Sequence, residues 1–389
     1  MKNFFHVLKN EYINIFHDAG TLLIFFGAFI IYPLFYPAPY ANEVLKNVPV
    51  AVVDMNHSQL SHKLTRMIDA NQSIRITANL PALNQAKVLL KKGDISGIIF
   101  IPDNFETLIL QGNQTSISVY SDASLFLKYK QVLSGIYQSA GTLSAQIEIK
   151  RMLYHGVMME QACSLRDPLS LISIPMFNPM GGYASYLIPA VFILLLQQTL
   201  LVGIGLLSGT EKENKTNENS KYQDLSIISI ISGKACAYFS IYMIHIAYLF
   251  GILFKFYHFP LNATPLSLIL FLIPYLFACI FLGQAISYFF KTREMSMVIL
   301  LFSSMPAIFL SGFAWPKFSM PAWLNHIAIL LPSTCGIEGF LKISQTGASL
   351  KDIGYDWMVL IILTIIYFIL AVIAMKNQYR TTSNSQSTI

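Results

Sequence analysis

The sequence is poor in charge. Lys, Arg, Asp and Glu make up 12% of its 389 residues while 54% are hydrophobic; an ordinary soluble domain has roughly a quarter charged. The shortage is greatest in the second half, where uncharged runs are long enough to cross a hydrocarbon core of about 30 Å. Cysteine is scarce as well, at four residues. Cys236 and Cys279 lie in apolar runs and read as small buried hydrophobes. Cys163 and Cys335 have no spacing that specifies a bridge, and there is no Cys-x-x-Cys pair for metal or redox chemistry. Gly-x-Ser-x-Gly, His-Glu-x-x-His and paired-carboxylate patterns are missing too. These absences argue against an enzyme and point to a polytopic α-helical membrane protein.

The net charge of +6 does not mark a nucleic-acid binder, because Lys and Arg form no stripe with interleaved aromatics. They sit at segment ends and across a polar insert. Lys2 and Lys9 precede the apolar run from Leu22 to Phe35, and Tyr36-Pro37-Ala38-Pro39-Tyr40 is a poor cleavage site, so an uncleaved signal anchor is expected. Within the cytoplasmic segment 1–20, Phe4, Phe5, Leu8, Tyr12, Ile15 and Phe16 oppose Lys9, Asn10, Glu11 and Asn14, the pattern of a helix lying on a membrane surface. The first span is assigned to 21–38.

Residues 41–183 read as an extracytoplasmic α/β domain inserted after that span. Val48 to Val53, Ile74 to Thr77, Gly97 to Ile101 and Ser116 to Tyr120 have strand character. Helices are expected from Leu60 to Ile68, from Pro81 through Leu90 and from Pro102-Asp103 to Leu110, with a long one from Asp122 through Arg151 toward Glu160. Asp54, His57 and His62 lie close in sequence, without a third catalytic partner, and read as surface residues.

Five further spans are expected within 184–376: Tyr183 to Ser208, Ile227 to Phe254, Leu266 to Phe290, about 297–312, and Trp357 to Ala374. A cytoplasmic loop at 209–224 carries Lys212, Lys215 and Lys221. The Trp- and Pro-containing stretch 313–354 has the irregular character of a broken or re-entrant helix, which needs protein or water around it at membrane depth. Six crossings put both termini in the cytoplasm, with the tail at 377–389, and Lys291, Arg293, Lys376 and Arg380 agree with that orientation. The spans contain no evident buried carboxylate of the kind an ion-coupled carrier uses. Lys234 is the main ionisable exception and reads as an interfacial anchor with a snorkelling stem. Gly233-Lys234 lacks the remaining residues of a phosphate-binding loop, so no nucleotide site is expected in this chain. Gln197, Gln198 and His245 are candidates either for helix–helix bonding or for a polar transport lining.

Several residue groups, in order, resemble the permeases of the type-2 ATP-binding-cassette exporter family, in the branch with a large extracytoplasmic domain between the first two spans. They are Phe177-Asn178-Pro179 with Tyr183, Tyr186 and Pro189; Gly209-Thr210-Glu211-Lys212-Glu213; Gly233-Lys234; and Phe309 through Pro316, followed by Met320 to Trp323, Leu331 to Thr334 and Gly336 to Phe340. In the family's charged elbow, Glu-Arg/Lys-Glu precedes Gly-Thr, and here the order is reversed. The resemblance implies a pair of permeases, identical or closely related, bound to two cytoplasmic ATPase subunits that use the ATP. Phe5, Tyr12, Glu211, Lys212 and Glu213 would meet the ATPase, and Gln197, Gln198, His245, Phe309 and Phe313 would line the path. The chain itself holds no cofactor. The expected setting is a bacterial inner membrane, with a hydrophobic drug, lipid or small amphiphile as cargo and a periplasmic adaptor as a further candidate partner. The alternative is an envelope scaffold or receptor whose insert binds a peptide or protein.

Overall fold

The computed structural model describes residues 2–213 and 225–386. Lys215, Lys221 and the rest of 214–224, like the last three residues of the tail, lie outside the described residues. The chain divides into two compact units, one formed by Met1–Glu43 with Pro175–Ile389 and the other by Val44–Ile174.

The first unit begins with helix α1, Lys2–His17. Among the described residues, six helices follow that are long and apolar enough to cross a membrane: Ala19–Tyr40, Tyr183–Glu213, Ile227–Phe256, Pro265–Ser287, Arg293–Leu310 and Gly354–Gln378. The second of these is the hub of the bundle, 94% buried along its apolar window, whereas the first, fifth and sixth are 22%, 17% and 22% buried. Their bare outer faces suit lipid. Association in lipid relies on close packing more than on apolar transfer, and glycines supply it here. Gly203 and Gly205 of the second span lie against Phe25 and against Leu300 with Ser296. Between the fifth and sixth spans, Ala322–Ile329 and Pro332–Thr346 form a pair of short helices bent by 90°.

Prolines inside spans free backbone carbonyls one turn earlier, and neighbouring side chains satisfy them. Pro189 in the second span releases the Ser185 carbonyl, to which Gln345 Nε2 donates at 2.9 Å. Pro274 in the fourth releases that of Leu270, to which the Trp357 indole donates at 3.1 Å. Each repair ties a proline-containing span to the bent pair or to the sixth span.

The second unit is a four-stranded sheet in the order β2-β1-β3-β4. Its elements are β1 Val48–Asp54, α2 Gln59–Asp69, β2 Ile74–Asn79, α3 Leu83–Lys92, β3 Gly97–Ile101, α4 Phe105–Leu110, β4 Ser118–Ser121, α5 Phe126–Tyr154 and α6 Met159–Arg166. β1 pairs in parallel with β2 and β3, and β4 closes the edge antiparallel to β3. Because side chains alternate along a strand, Val50 and Val52 pack with Leu64 and Ile68 of α2 and with Val132 and Ile136 of α5. Ala51 and Val53 pack on the other face with Ala86 of α3. That two-sided burial explains the unbroken apolar character of β1.

Two sequence expectations shift. The helix expected at Pro81 starts at Leu83, after an extended Ala82, because the chain needs two more residues to turn off the sheet edge. The long helix stops at Tyr154, and Gly156, with φ +81°, breaks it before the separate α6. Cys335 is buried in the bent pair, and it and the other three cysteines are free.

Gly209 offers a test of the packing. A Cβ there would lie 2.6 Å from Arg293 Cα, whereas one at Gly251 has nothing within 4 Å. Gly209→Ala is expected to destabilise the purified protein by about 1–3 kcal/mol and Gly251→Ala to leave its thermal midpoint unchanged. Equal behaviour of the two variants in a melting experiment would contradict this packing.

Candidate functional site

The last turn of the second span carries four consecutive polar residues, Thr210 to Glu213. Successive residues of a helix point about 100° apart, so the four reach different neighbours. The Thr210 hydroxyl donates to Asp18 Oδ2 at 3.1 Å, at the start of the first span. Glu211 accepts from Lys234 Nζ of the third span at 3.1 Å and from Asn14 of α1 at 3.3 Å. Lys212 Nζ donates to the carbonyls of Ser287, Tyr288 and Phe290 at 2.8, 2.9 and 2.7 Å, closing the C-terminal end of the fourth span, where carbonyls have no partner within the helix. Glu213 Oε1 accepts the Arg293 amide at 2.7 Å, at the start of the fifth.

α1 joins this junction in an unexpected orientation. Its buried face is Val7, Glu11 and Ile15, continued by Asp18, while Phe5 and Phe16 are 61% and 54% exposed. The apolar face read from the sequence is therefore displaced, and a carboxylate placed on the wet side is fully buried. The third span supplies the cause. Lys234 Nζ stands 3.5 Å from Glu11 Oε2, and the Tyr238 hydroxyl, one turn further along, donates to Glu11 Oε1. An ion pair with added hydrogen bonds makes such burial tolerable. Lys234 accordingly does not snorkel; it is 8% exposed between two carboxylates. Gly233 beside it lets α1 approach, since a Cβ there would meet Val7 at 2.9 Å.

Asp18 is the second anchor. Its carboxylate accepts the Thr21 amide at 2.7 Å, capping the first span, and both terminal nitrogens of Arg293 at 2.9 and 3.2 Å. Burial acts to raise its pKa, but the Thr21 bonds and the Arg293 charge outweigh it and hold the group below the usual carboxylate value. The resulting stabilisation is complete above the ordinary Asp range and is lost as pH falls through the lowered value.

Of the residues expected to meet an ATPase, Phe5 and Glu213 face outward, Tyr12 shares a hydrogen bond with Ser240, and Glu211 and Lys212 are turned into the junction. The residues expected to line a path have separate settings. Gln197 donates to Ser333 Oγ at 3.3 Å and accepts from Cys279 Sγ at 3.8 Å, which joins three helices. Gln198 is buried, and among the described residues neither of its amide atoms has a hydrogen-bond partner. The same holds for both ring nitrogens of His245, which stacks on Phe29 at 4.0 Å with Phe26 and Tyr242 at its edges. Phe313 stacks on Tyr186 at 4.5 Å, and Phe309 is exposed. In the second unit, Asp54 accepts the Asn56 and His57 amides and the Ser61 hydroxyl at 2.9, 3.1 and 2.6 Å, which sets the turn from β1 into α2.

Sequence reading missed a further charged chain. Glu338, in the bent pair, binds Lys317 and, at 2.9 Å, Lys342; Lys342 reaches Asp356 at 3.0 Å. Asp356 is 1% exposed and escaped notice because the sixth span starts a turn earlier than its apolar run indicates. It lies in the first turn of the sixth span and so corrects the expectation that the spans hold no buried carboxylate; Glu11, also buried, belongs to α1 and to no span. Among the described residues no group of three or more His, Cys, Asp or Glu side chains is placed to hold a metal.

The Glu11 pair yields a double-substitution test. Lys234→Met strands buried carboxylate charge and is expected to cost about 3–5 kcal/mol, while adding Glu11→Gln should restore part of the loss. Strictly additive losses in thermal unfolding would show that the two side chains are not coupled.

Comparison with known proteins agrees with this architecture. The chain is 21% identical over 351 residues to the Probable multidrug ABC transporter permease YbhR of Escherichia coli K12, covering 90% of each chain. It is 20% identical over 336 residues to ABC transporter G family member 20 of Dictyostelium discoideum, covering 86% of this chain and 45% of that relative, so it spans about half the relative's length. Residues 19–373 match the family described as ABC-2 family transporter protein. With six membrane-length helices among the described residues, five wholly inside that match and the sixth beginning inside it, the chain belongs to the ABC-2 transporter family, as a transmembrane ABC transporter permease.

Proposed function

We propose that this permease is the membrane subunit of an exporter that moves a hydrophobic or amphiphilic compound, such as a drug or lipid, out of the cytoplasm or the inner membrane of a bacterium. Two permeases, identical or closely related, would work with two cytoplasmic ATPase subunits, which bind and hydrolyse the ATP. Both termini of the chain are cytoplasmic in this reading, and the α/β unit is the large extracytoplasmic domain, open to cargo or to a periplasmic adaptor. The basic ends of the spans support that orientation.

The observation that carries the proposal is the junction of Thr210 to Glu213, which ties the end of one buried span to α1 and to the ends of four other spans. A protein pushing on the adjoining loop would move all of them together. Phe5 and Glu213 are then the surface residues that meet the ATPase, and Glu211 and Lys212 pass the displacement inward. Gln198 and His245, buried with polar atoms unsatisfied by the described residues, are the polar points of the path. The name of the Escherichia coli relative fits a multidrug cargo.

Gentle extraction of the tagged chain is expected to recover an ATPase whose turnover rises with hydrophobic amphiphiles. Phe5→Asp combined with Glu213→Lys should cut that recovery about tenfold, a change of roughly 1.4 kcal/mol. Gln198→Ala should leave recovery intact and alter only the stimulation. If no ATPase is recovered under gentle conditions, the exporter assignment fails.

A further inference from the structure

The α/β unit has a cleft that neither its sheet nor its turns require. One part is a recess of about 490 Å³ between α4 and α5. Leu64, Phe105 and Leu143 close its floor at 1%, 5% and 3% exposure, and the half-buried Ile109, Ile117 and Ile147 line its walls. Arg151 of α5 donates to the Ile109 carbonyl of α4 across this recess. The other part is a recess of about 770 Å³ lined by Lys63, Arg66, Lys150, Gln146 and Glu106.

The two recesses share Ile147, and residues adjacent in sequence line one or the other: Lys63 beside Leu64 on α2, and Glu106 beside Phe105 on α4. The cleft therefore has one end with an apolar floor, rimmed by Asn113, Gln114, Ser144 and Glu148, and another end that carries Lys63, Arg66 and Lys150. At the cationic end Lys63 donates to Gln146 Oε1 at 2.6 Å, and the Glu106 carboxylate accepts the Leu60 amide at 3.2 Å. Among the described residues Arg66 and Lys150 have no carboxylate partner. Both volumes lie in the range of small-ligand pockets, about 300–1,000 Å³.

We propose that this cleft binds an anionic amphiphile, with its apolar body against Leu64, Phe105 and Leu143 and its carboxylate, phosphate or sulfate head at Arg66 and Lys150. A purely apolar ligand would gain nothing from the cations, and an acidic peptide would leave the apolar recess unfilled. Only the identification of this ligand as cargo rests on the exporter reading.

The test uses the full chain in lipid nanodiscs, without ATPase, and a photoactivatable dodecanoate compared with its methyl ester, with the sites of labelling mapped by mass spectrometry. Saturable labelling by the acid is expected in residues 105–117 and 140–151. Arg66→Glu combined with Lys150→Glu, at exposed positions that leave the core untouched, should reduce it about tenfold without changing the thermal midpoint. Ser144→Trp, which fills the apolar end from an exposed position, should do the same. Competition by dodecyl phosphate or dodecyl sulfate ranks the head groups. Labelling that does not saturate, that is equal for acid and ester, or that survives both sets of substitutions overturns the site. Recovery of the ATPase by the same variants reports separately on the exporter reading.

Discussion

The hydrogen bonds made by one helical turn, Thr210 to Glu213, organise the membrane unit. Each side chain of that turn ends on a different element: the first span, α1 with the third, the fourth, and the fifth. Since the second span is also the most deeply buried helix, a displacement at its end has no soft neighbour to absorb it. Close-packed interiors transmit strain rather than dissipating it. The glycines belong to the same constraint: Gly203 and Gly205 make room for the Phe25 and Leu300 side chains, while Gly209 and Gly233 let the backbones at Arg293 and Phe4 approach the second and third spans.

Several polar groups away from water in this bundle are satisfied by neighbouring helices. Carbonyls freed by Pro189 and Pro274 are taken by Gln345 and Trp357. Glu11 is held by Lys234 and Tyr238, and Asp356 by Lys342. Thr21, Gln284, Asn325, Ser344 and Asp356 each leave one buried side-chain atom without a hydrogen bond among the described residues, whereas Gln198 and His245 each leave two. A buried polar atom left unsatisfied costs about 1–3 kcal/mol, which a passing ligand or water would relieve.

Much of the architecture was legible because its signals are local. Uncharged runs mark the spans, and β-branched strands bounded by Asp, Pro and Gly mark the sheet. What was misread depends on partners distant in sequence. The sequence reading set Glu11 on the polar side of α1, although Val7 and Ile15, four residues to either side, share its face; the partners that make its burial tolerable, Lys234 and Tyr238, are more than two hundred residues away. Arg293, the partner of Asp18, is likewise far away in sequence, whereas Asp356 was passed over because it precedes the apolar run of its span. The elbow was found as a charged cluster, but its inward role was hidden, since a helical turn gives no sign of how many sides of it are covered.

The central claim is that the Thr210–Glu213 turn carries motion from an ATPase to the spans. Its most direct test is to measure substrate transported per ATP hydrolysed in reconstituted vesicles, comparing the natural chain with Lys212→Met, a change that removes the bonds to the fourth span and leaves the outward residues in place. The account predicts that the ATPase stays bound and hydrolyses ATP while transport per ATP collapses. Unchanged transport per ATP in that variant would contradict it.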